Sequence, residues 1–276
     1  MNQLRLNNGV NMPIRGFGIF QTTNPNICEQ SGYQALRTGC SLIDSAVSYS
    51  NEEAVGSAIK KSGTAGDELC IKTKPRVQDA GYGNTKKACE KSLNRLQGDC
   101  LDISLIDQPF GDRYGSWQAM EELYQAAKTR AIGVSTFQPD RLLDLILHNT
   151  VIPVVNQIET HSYCRQRETQ QFLRESNIQI EGRNNIFKHA VRGSRAQKYR
   201  KPLAQSIVRW LIQRNVVVIQ KSVHPERIIE NVTVFDYALS EEDMGAIETL
   251  DMKHSAFFDH RVPETLTFIS GIRLDI

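Results

Sequence analysis

"SLIDQPFGD", residues 104–112, is the stretch on which the fold turns. Ile103, Leu105 and Ile106 run into the carboxylate of Asp107, and a Gln-Pro pair then breaks the run. That is the pattern of a buried strand reaching the mouth of a barrel. Working outward, the same kind of short β-rich run closing on polar residues recurs as "GFGIFQ", "SLIDSA", "LCIKTK", "AIGVST", "VVNQIE", "IQIE" and "VVVIQKS". Between most of them lie "EEAVGSAIKKSG", "NTKKACEKSLNRLQG", "SWQAMEELYQAAK" and "PDRLLDLILHN", with apolar residues at three- and four-residue spacing. Such spacing marks amphipathic helices. Strand, helix, strand repeated this way requires a parallel sheet with helices outside, because parallel neighbours need crossover connections. Eight units predict an α/β fold closed into a (β/α)8 TIM barrel.

Ahead of the first unit, "LRLNNGVNMPI" reads as a hairpin turning at Asn8-Gly9 and capping the barrel floor. After the last strand, "PERIIENVTVF" and "SEEDMGAIETL" predict two extra helices, the second opened by Ser240 with Asp243 in its first turn. The tail from Phe257 reads as irregular. No linker, low-complexity tract or shift in composition divides the chain, so one domain over 1–276 is expected.

Composition narrows the class of function without naming one. The chain has 276 residues, 40% hydrophobic and 23% charged, as in ordinary soluble globular proteins. Its 33 basic and 31 acidic residues are interspersed for a net charge of +2, and no basic stripe or aromatic platform suggests nucleic acid. The start, "MNQLRLNNGV", lacks a signal-peptide core, and no apolar run approaches the roughly 18 residues of a membrane span. A cytoplasmic protein without a membrane partner is expected. The six cysteines include no CxxC pair, which predicts small buried thiols rather than a metal site or disulfides.

In a barrel of this kind, side chains at the carboxyl ends of the strands converge on one mouth, where the chemistry is done. Asp44, Lys74 and Asp107 fall there by register. Tyr49, five residues after Asp44, lets the chain leave the strand and return a phenol over the same mouth. Singly, each has a bland reading: a helix cap, a solvated lysine, a rim aromatic. Together they point to a site.

The ordered motifs "GFGIFQ", "IDSAVSYSNEEAVGSAI", "IKTK", "SLIDQPFGD", "RAIGVSTF", "VNQIE" and "KSVHPERIIEN" resemble those of the aldo-keto reductases, notably their short-loop bacterial branch, the 2,5-diketo-gluconate and glyoxal-type reductases. The resemblance runs from about Leu6 to about His260. It implies reduction of an aldehyde or ketone by hydride from NADPH, on a barrel closed by an N-terminal hairpin. Tyr49 matches the family's proton donor, Lys74 the cation that favours its phenolate, and Asp44 the carboxylate that holds the lysine. Ser135 and Gln157 match the partners of the nicotinamide carboxamide. Lys221, Ser222 and Arg227 match the 2′-phosphate clamp, and Glu230 and Asn231 the adenine contacts. Phe20 and Phe110 are expected to wall the substrate pocket, while Trp117 and Trp210 read as packing residues. No metal is implied.

The sequence departs from the family at the active site. Asp107 stands where the family carries the histidine of its catalytic tetrad, and Thr136 stands where it carries an asparagine after the "GVS" serine. Gln220 replaces a proline before Lys221, and the loop after Glu181 reads as shortened, without the aromatic that supports the nicotinamide ring. These departures keep two alternatives beside carbonyl reduction. One is a non-catalytic dinucleotide-binding or sensing member; the other is reduction of an activated carbon-carbon double bond.

Overall fold

The computed structural model describes residues 3–183, 198–255 and 262–272. It opens with strands β1 (Gln3–Arg5) and β2 (Asn11–Pro13), paired antiparallel. Gly9 turns the hairpin at φ +87°, a backbone region that glycine enters without steric cost. Asn7 and Asn8 then donate side-chain hydrogen bonds to the carbonyls of Pro153 and Arg130, tying the hairpin to the loops under the barrel.

Eight parallel strands follow: β3 (Arg15–Gly18), β4 (Leu42–Asp44), β5 (Cys70–Thr73), β6 (Ile103–Ile106), β7 (Ile132–Ser135), β8 (Val155–Glu159), β9 (Gln179–Arg183) and β10 (Val217–Gln220). They run in chain order around a closed barrel, with β10 completing the ring against β3. All eight predicted runs are strands, and the (β/α)8 reading holds.

The outer layer holds α1 (Pro25–Arg37), α2 (Glu52–Ser62), α3 (Tyr82–Leu96), α4 (Arg113–Gln125), α5 (Pro139–Leu147), α6 (Arg167–Glu175) and α7 (Leu203–Gln213). Local chemistry sets their starts. Asn24 accepts from the Ile27 amide with Pro25 in the first turn of α1, and Asp112 accepts from the Gly115 amide at the head of α4. Each cap satisfies an amide that the helix itself leaves unpaired. Trp117 and Trp210 are fully buried between helices and sheet, as their helical spacing predicted.

Beyond β10 the two expected helices are present as α8 (Pro225–Val232) and α9 (Glu241–Glu248), with Ser240 accepting from the Asp243 amide. The tail is not wholly irregular as expected: Pro263–Gly271 form a further helix, α10. Its faces carry little contrast, since Leu266, Phe268 and Ile269 lie among Thr265, Thr267 and Ser270, which hid it from a reading based on periodicity. No described helix is long and apolar enough to cross a membrane.

The lumen is layered. Its floor is apolar, built from Met12, Leu42, Cys70, Ile103, Leu105, Val155, Val217 and Ile219. Gly16 makes room for that packing, because a Cβ there would lie 2.7 Å from both Ile219 Cδ1 and Leu42 Cγ. The six cysteines are free, five of them buried.

Candidate active site

Two residues above the floor the same strands turn polar. Alternation along β5 sends Cys70, Lys72 and Lys74 into the lumen and Ile71 out, so two lysines stack on one strand. Asp44, the last residue of β4, is paired in register with Lys72. Its Oδ1 accepts from Lys74 Nζ at 2.5 Å and lies 3.1 Å from Lys72 Nζ. Lys72 spans the lumen to form an ion pair with Glu181 on β9. Gln157 on β8 donates to Glu181 and, at 3.4 Å, to Asp44 Oδ2. Burial would raise the pKa of Asp44, but the charges of Lys72 and Lys74, with hydrogen bonds from both, outweigh it and hold the carboxyl down at about 2.

Tyr49 is brought over this cluster by a loop tied to the neighbouring strands and loops. The amides of Ser45 and Val47 donate to the carbonyls of Lys72 and Lys74, extending the β4–β5 pairing past the strand end. A single 3₁₀ turn, Val47–Tyr49, then reverses the chain. Asn51 is buried and donates to the carbonyls of Ile19 and Thr22, and Glu52 accepts from Thr73 Oγ1 at 2.6 Å. The Tyr49 ring is buried, with Lys74 Nζ 5.3 Å from its centroid and the Phe20 ring at 5.0 Å. Asp44, Lys74, Tyr49 and Phe20 therefore meet, as the sequence suggested.

The other expected residues divide into two groups. Ser135 ends β7 in register with Gln157, and both are fully buried, with Ser135 Oγ and Gln157 Oε1 lacking hydrogen-bond partners among the described residues. Asp107 lies one residue past β6, half-buried, and with Phe110, Arg76 and Pro75 lines a small cavity. Among the described residues, no hydrogen bond or ion pair engages its carboxylate.

On the far side of the mouth, Lys221 and Ser222 follow β10, and Arg227, Glu230 and Asn231 lie on α8. Arg227 and Glu230 are exposed, Lys221 and Asn231 half-buried. Ser222 Oγ accepts from the His224 amide at 3.1 Å. Neither Lys221 nor Arg227 forms an ion pair among the described residues.

The departures are placed as follows. Thr136 has φ +62°, and its hydroxyl donates toward the carbonyls of Asp107 and Ser135 at 3.1 and 2.7 Å. Gln220 is buried, with Nε2 unpartnered among the described residues. The loop expected to be short after Glu181 lies mainly in 184–197, outside the described residues. Sequence reasoning missed Lys72 and the role of Glu181. The signal for Lys72 was available: if Lys74 faces the lumen, a strand residue two positions earlier does too.

A parallel barrel with its ionisable side chains gathered at the carboxyl ends of its strands has the architecture of a barrel enzyme. The family model described as "Aldo/keto reductase family" matches residues 30–186, and the chain belongs to that family. It is 42% identical over 254 residues to the glyoxal reductase of Bacillus subtilis (strain 168), covering 90% of this chain and 92% of that one. Among solved structures, an aldo/keto reductase from Brucella melitensis superposes with a TM-score of 0.87 at 36% identity, covering 91% of this chain and 99% of that one. A Bombyx mori aldo-keto reductase in complex with NADP gives a TM-score of 0.87 at 26% identity, over 92% and 94%.

Proposed function

We propose that the chain, acting as one barrel unit over 1–276, reduces small aldehydes or ketones to alcohols with NADPH. The observation that carries this reading is Lys74, fully buried, bonded to Asp44 and set against the Tyr49 ring at the barrel mouth. The cofactor, when bound, supplies hydride to the carbonyl carbon. The carbonyl oxygen must then take a proton, and Tyr49 Oη is the donor. An ordinary phenol holds its proton up to about pH 10, and an adjacent ammonium favours the phenolate left behind. Lys74 provides that charge. Asp44 fixes the ammonium in place.

The residues present fit the cofactor at both ends. Buried Ser135 Oγ and Gln157 Oε1 have unused hydrogen-bonding capacity, which suits the donor and acceptor of a carboxamide. Lys221 and Arg227, without ion pairs among the described residues, suit a phosphate monoester together with Ser222. Glu230 and Asn231 take the adenine side, and Phe20 and Phe110 the apolar substrate walls. Asp107 takes the position of the family's tetrad histidine, and as a carboxylate there it would oppose the developing oxyanion.

The test is NADPH oxidation with a simple aldehyde and with an enone, for wild type and Tyr49→Phe. We expect turnover with the aldehyde that falls at least about 100-fold in the variant, the scale of losing a general acid. Cofactor affinity should change less than about threefold, since only a hydroxyl is removed. Consumption with the enone alone would replace carbonyl reduction by double-bond reduction. Binding of NADPH without turnover of either would make the chain a dinucleotide-binding member.

A further inference from the structure

We propose that Lys72 and Glu181 form a charge-balancing pair that acts through Asp44 and Lys74 to set the proton affinity of Tyr49, Lys72 being a positioning residue rather than a catalytic one. The proposal rests on the reading of Tyr49 as proton donor.

Among the described residues, four charged side chains share the polar layer of the lumen: Asp44 from β4, Lys72 and Lys74 from β5, and Glu181 from β9. All are buried. They are connected, not merely near: Asp44 Oδ1 is shared between the two ammoniums, Lys72 is paired with both carboxylates, and Gln157 bridges the same two carboxylates. Among the described residues the other strands add little charge at this level: Gly18, Gly133 and Ile219 face the lumen from β3, β7 and β10, β6 supplies Leu105 with Asp107 at the rim, and Glu159, two residues past Gln157 on β8, is engaged by His161 and Ser255. Cys70, below Lys72, stays a neutral thiol because burial pushes its pKa up.

These four, two cations and two carboxylates, balance one another, and Lys74 is the member that meets Tyr49. The fold does not demand such a layer. One step down, the same lumen is filled by Leu42, Ile103, Leu105 and Val217, and buried ion pairs are often replaceable by apolar residues without loss. What charges add, and apolar groups would not, is a field at the phenol. A change of either outer charge reaches Tyr49 through that field and through the Asp44 oxygen that both lysines share, which positions Lys74. The depressed pKa of Asp44 is consistent with this sharing, since both lysines contribute to it.

Signs follow directly. Carbonyl reduction uses the protonated phenol, so turnover declines as pH rises through the apparent pKa of Tyr49. Lys72→Met leaves a net negative layer, makes phenolate harder to form and moves this decline to higher pH. Glu181→Gln leaves a net positive layer and moves it to lower pH. The double variant, neutral again, restores the wild-type position. Each single shift should stay below about one pH unit, because the two outer charges lie behind Lys74 rather than beside the phenol.

The experiment measures pH profiles of NADPH-dependent aldehyde turnover for the wild type, the two single variants and the double variant. In parallel, the tyrosinate absorbance of Tyr49 is titrated as the difference between each protein and its Tyr49→Phe counterpart. The second readout needs no catalysis, so it still answers if the wild type proves inactive and the functional reading fails. Opposite shifts in the singles with recovery in the double support the proposal. Unmoved profiles and titrations, or single variants shifting in the same direction, overturn it. If a single variant does not fold, the titration of the double variant against the remaining single decides: identical positions overturn the proposal, and distinct ones support it.

Discussion

The lumen cluster and the loop after β10 both hold charges expected to meet a ligand, yet they are built oppositely. Asp44, Lys72, Lys74 and Glu181 are out of water and paired with one another before any ligand arrives. Arg227 is exposed and Lys221 half-buried, neither with an ion pair among the described residues. In the lumen each ion has exchanged hydration for a partner, so losing one partner strands another. On the loop, water remains the partner and a deletion strands nothing. Buried charges thus report on stability and chemistry together, exposed ones on ligand affinity alone.

The largest effect that would break or sharpen this contrast is expected at Lys72. Lys72→Met should destabilise the protein by about 3–5 kcal/mol by leaving Glu181 buried without its cation, while Lys72→Met with Glu181→Gln should recover most of the loss. Urea unfolding of the three proteins measures this. Equal stability of single and double variants would mean that the lumen charges are not coupled. Next comes the loop. Arg227→Ala should weaken NADPH roughly 10- to 100-fold by fluorescence titration, leave NADH nearly unchanged and leave the unfolding midpoint alone. Equal loss of both dinucleotides would remove Arg227 from the phosphate site. The smallest effect is at the rim. Asp107→His should raise aldehyde turnover at pH 7 by about 10-fold, a modest share of what an oxyanion donor contributes. A slower variant, beside a wild type that loses activity as pH rises from 5 to 8, would show that Asp107 is itself a working acid.

Legibility in the sequence followed the same division. Strand ends were readable because each apolar run stops on a polar residue, and Asp44, Lys74 and Asp107 all lie at the mouth in the structure. The Asn8-Gly9 turn was readable from backbone chemistry alone. Lys72 was readable only by following side-chain parity along the strand, since a lysine inside a strand otherwise reads as solvated, and its partner Glu181 lies across the barrel, beyond any local pattern. Helix α10 escaped for want of contrast between its faces. That Gln157 also reaches Asp44 and Glu181 is a tertiary fact: register places β8 beside β9, and only closure brings β4 opposite.

Thr136 carries a different lesson. A β-branched residue at φ +62° occupies a conformation that costs an L-residue roughly 1–2 kcal/mol and that asparagine tolerates better. The hydroxyl bonds to Asp107 and Ser135 offset part of that cost. Stability and activity are commonly traded against one another. At this position the two should rise together, because Thr136→Asn both relaxes the backbone and presents a carboxamide beside Ser135. For anyone evolving the barrel toward faster turnover, this is a step that spends none of its thermal margin.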